Sequence, residues 1–362
     1  MNVLVLTRYD HLGASSRVRF LQYIPALEDQ GWKFVVRPLF SNWYIRLLFS
    51  KRGRFLPTIA GYCRRVGVIL RARRFDMVWI EKEIFPFVPA IAEVVLAHRR
   101  IPFVVDYDDA VFHRYDRHRS SWIRFFLSKK IDAVMRSASV VIVGNEYLAD
   151  RALSAGAKQV VRVPTVVDIS KYRVNTTRNR SGNLIVGWVG TPVTMSFLVP
   201  LHPVIAQLTK EFTVRFVVVG GSGDSAEDLP FEIWPWTSGT EVQSIQLFDI
   251  GIMPLFDTPW ERGKCGYKLI QYMAVGKPVV ASPVGINKEI VQHGVNGFLA
   301  SDLIDWHRYL SVLLSDEIMR HEMGMEGRNK VDAWYSLQIQ APRVAQLFKA
   351  VATRTPGKPV RN

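Results

Sequence analysis

Short apolar runs alternate with amphipathic stretches along most of the chain. Residues 2–7 (NVLVLT), 33–39 (KFVVRPL), 75–82 (FDMVWIEK), 101–109 (IPFVVDYDD) and 139–145 (SVVIVGN) are runs of six to nine positions rich in Val and Ile. Runs of that length and kind predict strands buried on both faces. Between them, residues 13–31 place Val18, Leu21, Ile24 and Leu27 at near-helical spacing and stop at Gly31, and residues 146–156 (EYLADRALSAG) repeat the pattern. The polar stretch 174–183 (VNTTRNRSGN) breaks the rhythm and reads as a linker. A second series then begins. It has strands at 184–190, 214–221, 248–255, 277–285 and 297–301, a helix over 197–212, a helix opening at Gly266, and helical sequence from 305 to 353. Strand and helix in alternation predict parallel sheets covered by helices. The fold class is therefore α/β, with two Rossmann-like doubly wound domains and a cleft between them. The divisions fall at 1–176, 177–335 and a C-terminal helix and tail at 336–362.

The charge sharpens this picture. The 362 residues carry 47 Lys plus Arg against 32 Asp plus Glu, a net charge of +15. A basic chain suits nucleic acid, an anionic membrane or phosphorylated substrates. Residues 30–75 hold eleven Lys and Arg, no acid, and aromatic residues throughout, which suits an anionic membrane surface. Residues 114–136 (with RYDRHRSSWIRFFLSKK) form a second basic cluster. A nucleic-acid partner is not expected, because no nucleic-acid module is present and the acidic DYDD lies at a strand end. No apolar run is long enough to span a bilayer, and the N-terminus reads as a strand rather than a signal peptide. Cys63 and Cys265 form no metal-type cluster, so a reduced, cytoplasmic protein, peripheral on the inner face of the membrane, is expected.

Ligands of doubly wound sheets bind beyond the carboxyl ends of the strands. Those loops hold the candidate chemistry. In GKCGYKLIQYMAVG, Gly263 and Gly266 allow close approach of backbone to a ligand. A helix starting near Gly266 would aim free amides at an anion, with Arg262, Lys264, Tyr267 and Lys268 at the same end and Gln271 one turn on. Cations in a first helical turn are unfavourable unless an anion offsets them. Solvated lysines on a surface helix are the plain alternative. Asp106, Asp108 and Asp109 follow an apolar strand. They suit a general base, sugar-hydroxyl acceptors or a metal site, or they pair with arginines such as Arg114 and Arg117. The loop HLGASSR, with Gly13 and Arg17, and the glycine-rich strand ends at Gly190, Thr191 and Gly221 complete the set. No dinucleotide fingerprint, Walker loop, nucleophile elbow or zinc motif is present.

The stretch YKLIQYMAVGKPVVASPVGINKEIVQHGVNGFL resembles the C-terminal signature of family 4 (group 1) glycosyltransferases. VPTVVDISKY, LIVGWVG, VRFVVVGG and FDIGIMPL keep that family's order. The resemblance implies a GT-B fold, with the C-terminal helix crossing back to the first domain. It implies a nucleotide-sugar donor (UDP-, GDP- or dTDP-sugar) in the second domain and an acceptor, lipid-linked or a cell-envelope glycan, on the first. It also implies transfer of a hexosyl group with retention, without a required metal or other cofactor. Donor binding then falls to Gly190, Thr191, Gly221, Arg262, Lys264, Gly266, Tyr267, Lys268 and Gln271, with Gly13 and Arg17 from the first loop. Asp106, Asp108, Lys268 and Glu289 are the catalytic candidates. The chain departs from the family in two places. Its E-x7-E motif reads Gly263 and Gln271, and the basic pair expected after residue 190 is missing. An epimerase or hydrolase of the same fold, or a degenerate binding protein, are the rival readings.

Overall fold

The structure, a computed structural model, describes residues 1–49, 53, 55–174, 182–221 and 231–353. Most of the expected linker (175–181), four positions of the basic stretch (50–52 and 54), the end of the second glycine run (222–223) and the tail (354–362) lie outside the described residues. The chain divides into two compact units. The first comprises residues 1–165, 263–265 and 338–362, and the second residues 166–262 and 266–337.

The first unit is built on a six-stranded sheet of β1 (Asn2–Leu6), β2 (Lys33–Val36), β3 (Met77–Glu81), β4 (Phe103–Tyr107), β5 (Val140–Val143) and β6 (Val160–Arg162). Every pairing is parallel and the order is β2-β1-β3-β4-β5-β6. The interior strands β3, β4 and β5 are buried at every position, while the edges β2 and β6 are partly open. That is why the interior strands read as unbroken apolar runs: helices cover both faces, so no face is left for polar residues. The three-residue β6 carries too little pattern to be read from sequence.

The predicted helix over 13–31 is interrupted. After Ala14–Ser16 the backbone widens into a π turn at Arg17–Leu21 and resumes as Tyr23–Glu28. The Gln22 amide bonds to the Arg17 carbonyl, five residues back. Such bulges often mark functional positions, and this one holds Arg19. The basic stretch carries two helices, Asn42–Phe49 and Phe55–Leu70. From the C-terminal helix, Leu337–Thr353, Phe348 packs edge-on against Trp79 of β3 and against Trp32, at 5.0 and 5.8 Å between ring centres. Phe348 and Trp79 are both almost fully buried, so these rings form part of this unit's core.

The second unit holds β7 (Leu184–Val189), β8 (Val214–Val219), β9 (Phe231–Trp234), β10 (Ile250–Met253), β11 (Val279–Ala281) and β12 (Gly297–Leu299). Its order is β12-β11-β10-β7-β8-β9, again all parallel. The expected helix over 197–212 is helical only from His202 to Glu211. Pro192 and Pro200 each lack an amide donor, and the chain ahead of His202 forms tighter turns at Pro192–Phe197 and Val199–Leu201. The sequence reading also missed the edge strand β9 and the short helix Pro259–Arg262.

In both sheets the first strand lies centrally and the order reverses beside it, between β1 and β3 and between β7 and β10. At such a reversal neighbouring connections run to opposite faces and leave a crevice past the strand ends.

Candidate functional site

In the first unit the strand exits form a buried ionic network. Beyond β3, Lys82 adopts a left-handed backbone (φ 62°), which side chains rarely do. The turn carries Lys82 toward β4, where its ammonium lies 2.8 Å from Asp108 and 3.2 Å from Asp109, with the Ser15 hydroxyl at 3.3 Å. Asp106 is matched separately. Nε and Nη2 of Arg19 both donate to its Oδ1, at 3.0 and 2.7 Å, while Nη1 donates to the Val163 carbonyl. Glu81 accepts from the Ser16 hydroxyl (2.6 Å) and the Arg8 amide (2.7 Å).

The aspartates' partners are thus Arg19 and Lys82, not Arg114 and Arg117. Sequence missed both, because Arg19 comes from a π turn and Lys82 from a strained turn. The charged run EKE closing an apolar strand was the available signal. Asp106, expected among the catalytic groups, is 3% exposed, and Arg19 holds its Oδ1. Asp109, at 29%, is the most open of the three side chains, against 14% for Asp108. Burial pushes the Asp106 carboxyl up to about 6, with the Arg19 charge opposing. Asp108 moves the other way: burial raises it, but the Lys82 and Arg19 charges, with hydrogen bonds from Lys82 and Ser15, together outweigh burial and hold it below the ordinary carboxylate range. No cluster of metal-ligating side chains occurs among the described residues.

Lys264 is also relocated. Residues 263–265 pack with the first unit. There the Asn145 side chain donates to the Lys264 carbonyl (2.8 Å), and the Cys265 thiol lies 3.2 Å from the Asp108 carbonyl. Burial drives the Cys265 thiol well above its usual range, so it is an inert packing group. Gly13 supplies the loop ahead of Ala14, and a side chain there would meet Tyr9 at 2.4 Å.

In the second unit, Lys268 is placed at the β7 exit. It lies in the first turn of the Tyr267–Ala274 helix, and its ammonium sits 3.8 Å from the centre of the Trp188 ring. Trp188 is fully buried and its ring packs beneath Gly190, so Lys268, Trp188 and Gly190 gather where the strand order reverses. A cation over an indole face keeps its charge with little water around it. Gly220, at the β8 exit, has φ 88°, and a side chain there would strike the Gly190 carbonyl at 2.4 Å. Gly266 opens the helix at φ 65°, with Ile290 2.2 Å from where a side chain would begin.

Gln271 is 1% exposed and donates to the Tyr172 hydroxyl at 2.9 Å, so its amide faces the core rather than a ribose. Tyr267 lies by the same hydroxyl, at 3.4 Å. Arg262 forms a forked pair with Asp257, at 2.7 and 3.1 Å, on the surface. Glu289 is exposed on the Asn287–Ile290 helix, its carbonyl bound by Lys330. Thr191 caps the turn that follows β7, pairing with Thr194. Gly221 packs against Met195 and Val218. Arg17 stays within the π turn.

Residues 184–316 match the family described as glycosyl transferases group 1. No curated protein matches the chain in sequence. Among solved structures, HepE of Anabaena in complex with UDP-glucose is similar, with a TM-score of 0.71 and 17% identity over 97% of this chain and 100% of that one. A glycosyltransferase of Rickettsia africae gives a TM-score of 0.71 at 12% identity, covering 98% and 99%. WaaG, a glycosyltransferase involved in lipopolysaccharide biosynthesis, gives 0.67 at 12%, covering 96% and 99%. At these identities the likeness is one of fold, and the fold is GT-B.

Proposed function

We propose, from the match of residues 184–316 and the GT-B fold, that this chain is a group 1 glycosyltransferase and moves a sugar from a nucleoside-diphosphate sugar to a lipid-linked or cell-envelope glycan acceptor, with retention of configuration. The observation that carries the donor assignment is Lys268 over Trp188, beside Gly190, at the β7 exit. A diphosphate leaving group gains negative charge as the glycosidic bond breaks. An ammonium held in a partly dry place, at a helix start, stabilises that charge more than it stabilises the ground state. HepE, of the same fold, has been captured with UDP and UDP-glucose, which makes a uridine nucleotide the first to try.

The acceptor side falls to Asp108 and Asp109, oriented by Lys82. Asp106 acts through Arg19 as a positioning residue. Glu289 and the glycine exits at Gly190 and Gly221 remain on the donor side. Attachment to an anionic membrane surface completes the reading. Besides the acid-free stretch 30–75, the Ser121–Leu127 helix exposes Trp122 (73%), Phe125 (80%) and Phe126 (65%), with Arg117, Arg119, Arg124 and Lys129 also exposed. Aromatic side chains ringed by cations suit a headgroup interface.

Titration calorimetry with UDP-, GDP- and dTDP-sugars tests the donor assignment. One nucleotide should bind, and Lys268→Ala should weaken it about tenfold or more, the scale of one charge-assisted contact, with melting temperature little changed. Unaltered affinity in the alanine variant removes Lys268 from the diphosphate site. Absence of binding by any nucleotide sugar removes the transferase reading.

A further inference from the structure

The crevice of the first unit lies between the exits of β1 and β3, and its charges do not balance. Arg8 leaves β1 and Glu83 leaves β3. They meet at 3.5 Å, too far for a hydrogen bond. Glu83 is already engaged: the Tyr115 hydroxyl lies 2.6 and 2.8 Å from its two oxygens, and Lys130 is ion-paired to it. Nε and Nη1 of Arg8 are buried without a hydrogen-bond partner, while 12% of its side chain stays open. Arg114 is partly buried on the His113–Asp116 helix, directly before Tyr115, whose hydroxyl holds Glu83, and burial and the Arg8 charge both hold it below its ordinary value. Behind them, Arg65 is 2% exposed and donates only to carbonyls, those of Thr7 (2.7 Å) and Arg37 (3.0 Å).

Cations at this crevice therefore number four: Arg8, Arg65, Arg114 and Lys130. Of these, Arg8 and Lys130 pair with Glu83. The other acids near them, Glu81 and Glu93, are buried and accept from the Ser16 hydroxyl and from the Arg8 and Ile84 backbone amides, while the Arg8 Nε and Nη1 stay without a hydrogen-bond partner. Excess charge of one sign out of water is costly unless a counter-charge offsets it.

We propose that Arg8 and Arg114, at the β1/β3 crevice, form a subsite for an oxyanion, a phosphate or carboxylate carried by the acceptor. This deepens the transferase reading and rests on it for the word acceptor, though the subsite itself does not. The sugar-accepting hydroxyl would lie toward the β4 exit, at Asp108 and Asp109, and the oxyanion would hold the molecule from the neighbouring crevice. An acceptor with a phosphate in place is one that an earlier phosphoryl-transfer step has supplied.

Phosphorus NMR titration of inorganic phosphate into the full chain, with excess UDP filling the donor side, is the test. Wild type should bind phosphate, and Arg8→Met and Arg114→Met should each weaken it about tenfold or more, with Arg8→Lys retaining part of the affinity. Competition by acetate marks the site as general for oxyanions. Absence of competition marks it as selective for phosphate. Either upholds the subsite. Folded Arg8→Met and Arg114→Met proteins with unchanged phosphate affinity overturn it, as does wild type that binds no phosphate at millimolar concentration. If Arg8→Met does not fold, the more exposed Arg114→Met decides. Binding of UDP, GDP and dTDP measured on the same samples keeps failure of the donor reading separate, because that reading fails only if none of them binds wild type.

Discussion

Two aspartates two residues apart answer acid in opposite ways. The Asp108 carboxyl is held below its ordinary range by the Lys82 and Arg19 charges, while Asp106 is pushed up to about 6 by burial. An unfolded aspartate titrates near about 3.9. The lowered Asp108 therefore contributes stability that is complete above that value and is lost as pH falls through its folded value. Asp106 has the reverse sign: its protonation on descent from about 6 toward about 4 favours the folded form. Stability should thus hold or rise slightly on acidification to about pH 4 and then drop steeply. Asp108→Asn should cost about 3 kcal/mol at pH 7, the scale for breaking a mostly buried pair, and should flatten the drop below pH 4. Chemical denaturation at a series of pH values checks this. An acid limb in Asp108→Asn as steep as in wild type would show that the Lys82 pair does not govern it. Lys82 itself holds a strained backbone that costs about 1–3 kcal/mol at such positions, so these pairs also keep the turn in place.

At the scale of elements, the interior strands were legible because burial on both faces leaves an unbroken apolar run. The edges β6 and β9 were not, since three or four half-exposed residues carry little pattern. The site was legible where a backbone requirement writes itself as glycine, as at Gly190 and Gly266, and where a lysine sits in a first helical turn. It was illegible where partners are set by tertiary placement. Gln271 sits one turn beyond Lys268, yet the helix turns it to Tyr172 in the core. Arg19 and Arg8 look like ordinary basic residues until the sheet order brings them to Asp106 and Glu83. Gly266 offers a test at this scale. Alanine there must keep φ 65° and place a methyl 2.2 Å from Ile290 Cδ1. Gly266→Ala should lose about 1–3 kcal/mol, measured by denaturant unfolding. Ile290→Val removes the clashing methyl but not the backbone strain. The double variant should therefore be more stable than the sum of the two single losses, and strict additivity would show that the contact is unimportant.

At the scale of the whole molecule, the net charge of +15 and the exposed aromatics of the Ser121–Leu127 helix make a joint claim on a membrane. No helix among the described residues is long and apolar enough to cross one, so the attachment argued here is interfacial. Its two parts are of similar size. Burying Trp122, Phe125 and Phe126 is worth roughly 1.5–3 kcal/mol each. Each cation near an anionic surface adds about 1 kcal/mol at low salt, and Arg117, Arg119, Arg124 and Lys129 are exposed beside the aromatics. The proposed attachment uses both parts, whereas a merely solvated basic face uses charge alone. In vesicle sedimentation, wild type should bind phosphatidylglycerol vesicles at 50 mM salt and largely release at 1 M, where charges are screened within about 3 Å. The triple variant Trp122→Ser, Phe125→Ser, Phe126→Ser should lose about a thousandfold or more in partitioning at low salt, because the apolar part of the attachment is gone while the charge is intact. A solvated basic face predicts a different pattern, in which the triple variant partitions like wild type and salt removes both equally. That pattern would confine the membrane contact to charge alone, and no binding at 50 mM salt would end the membrane reading.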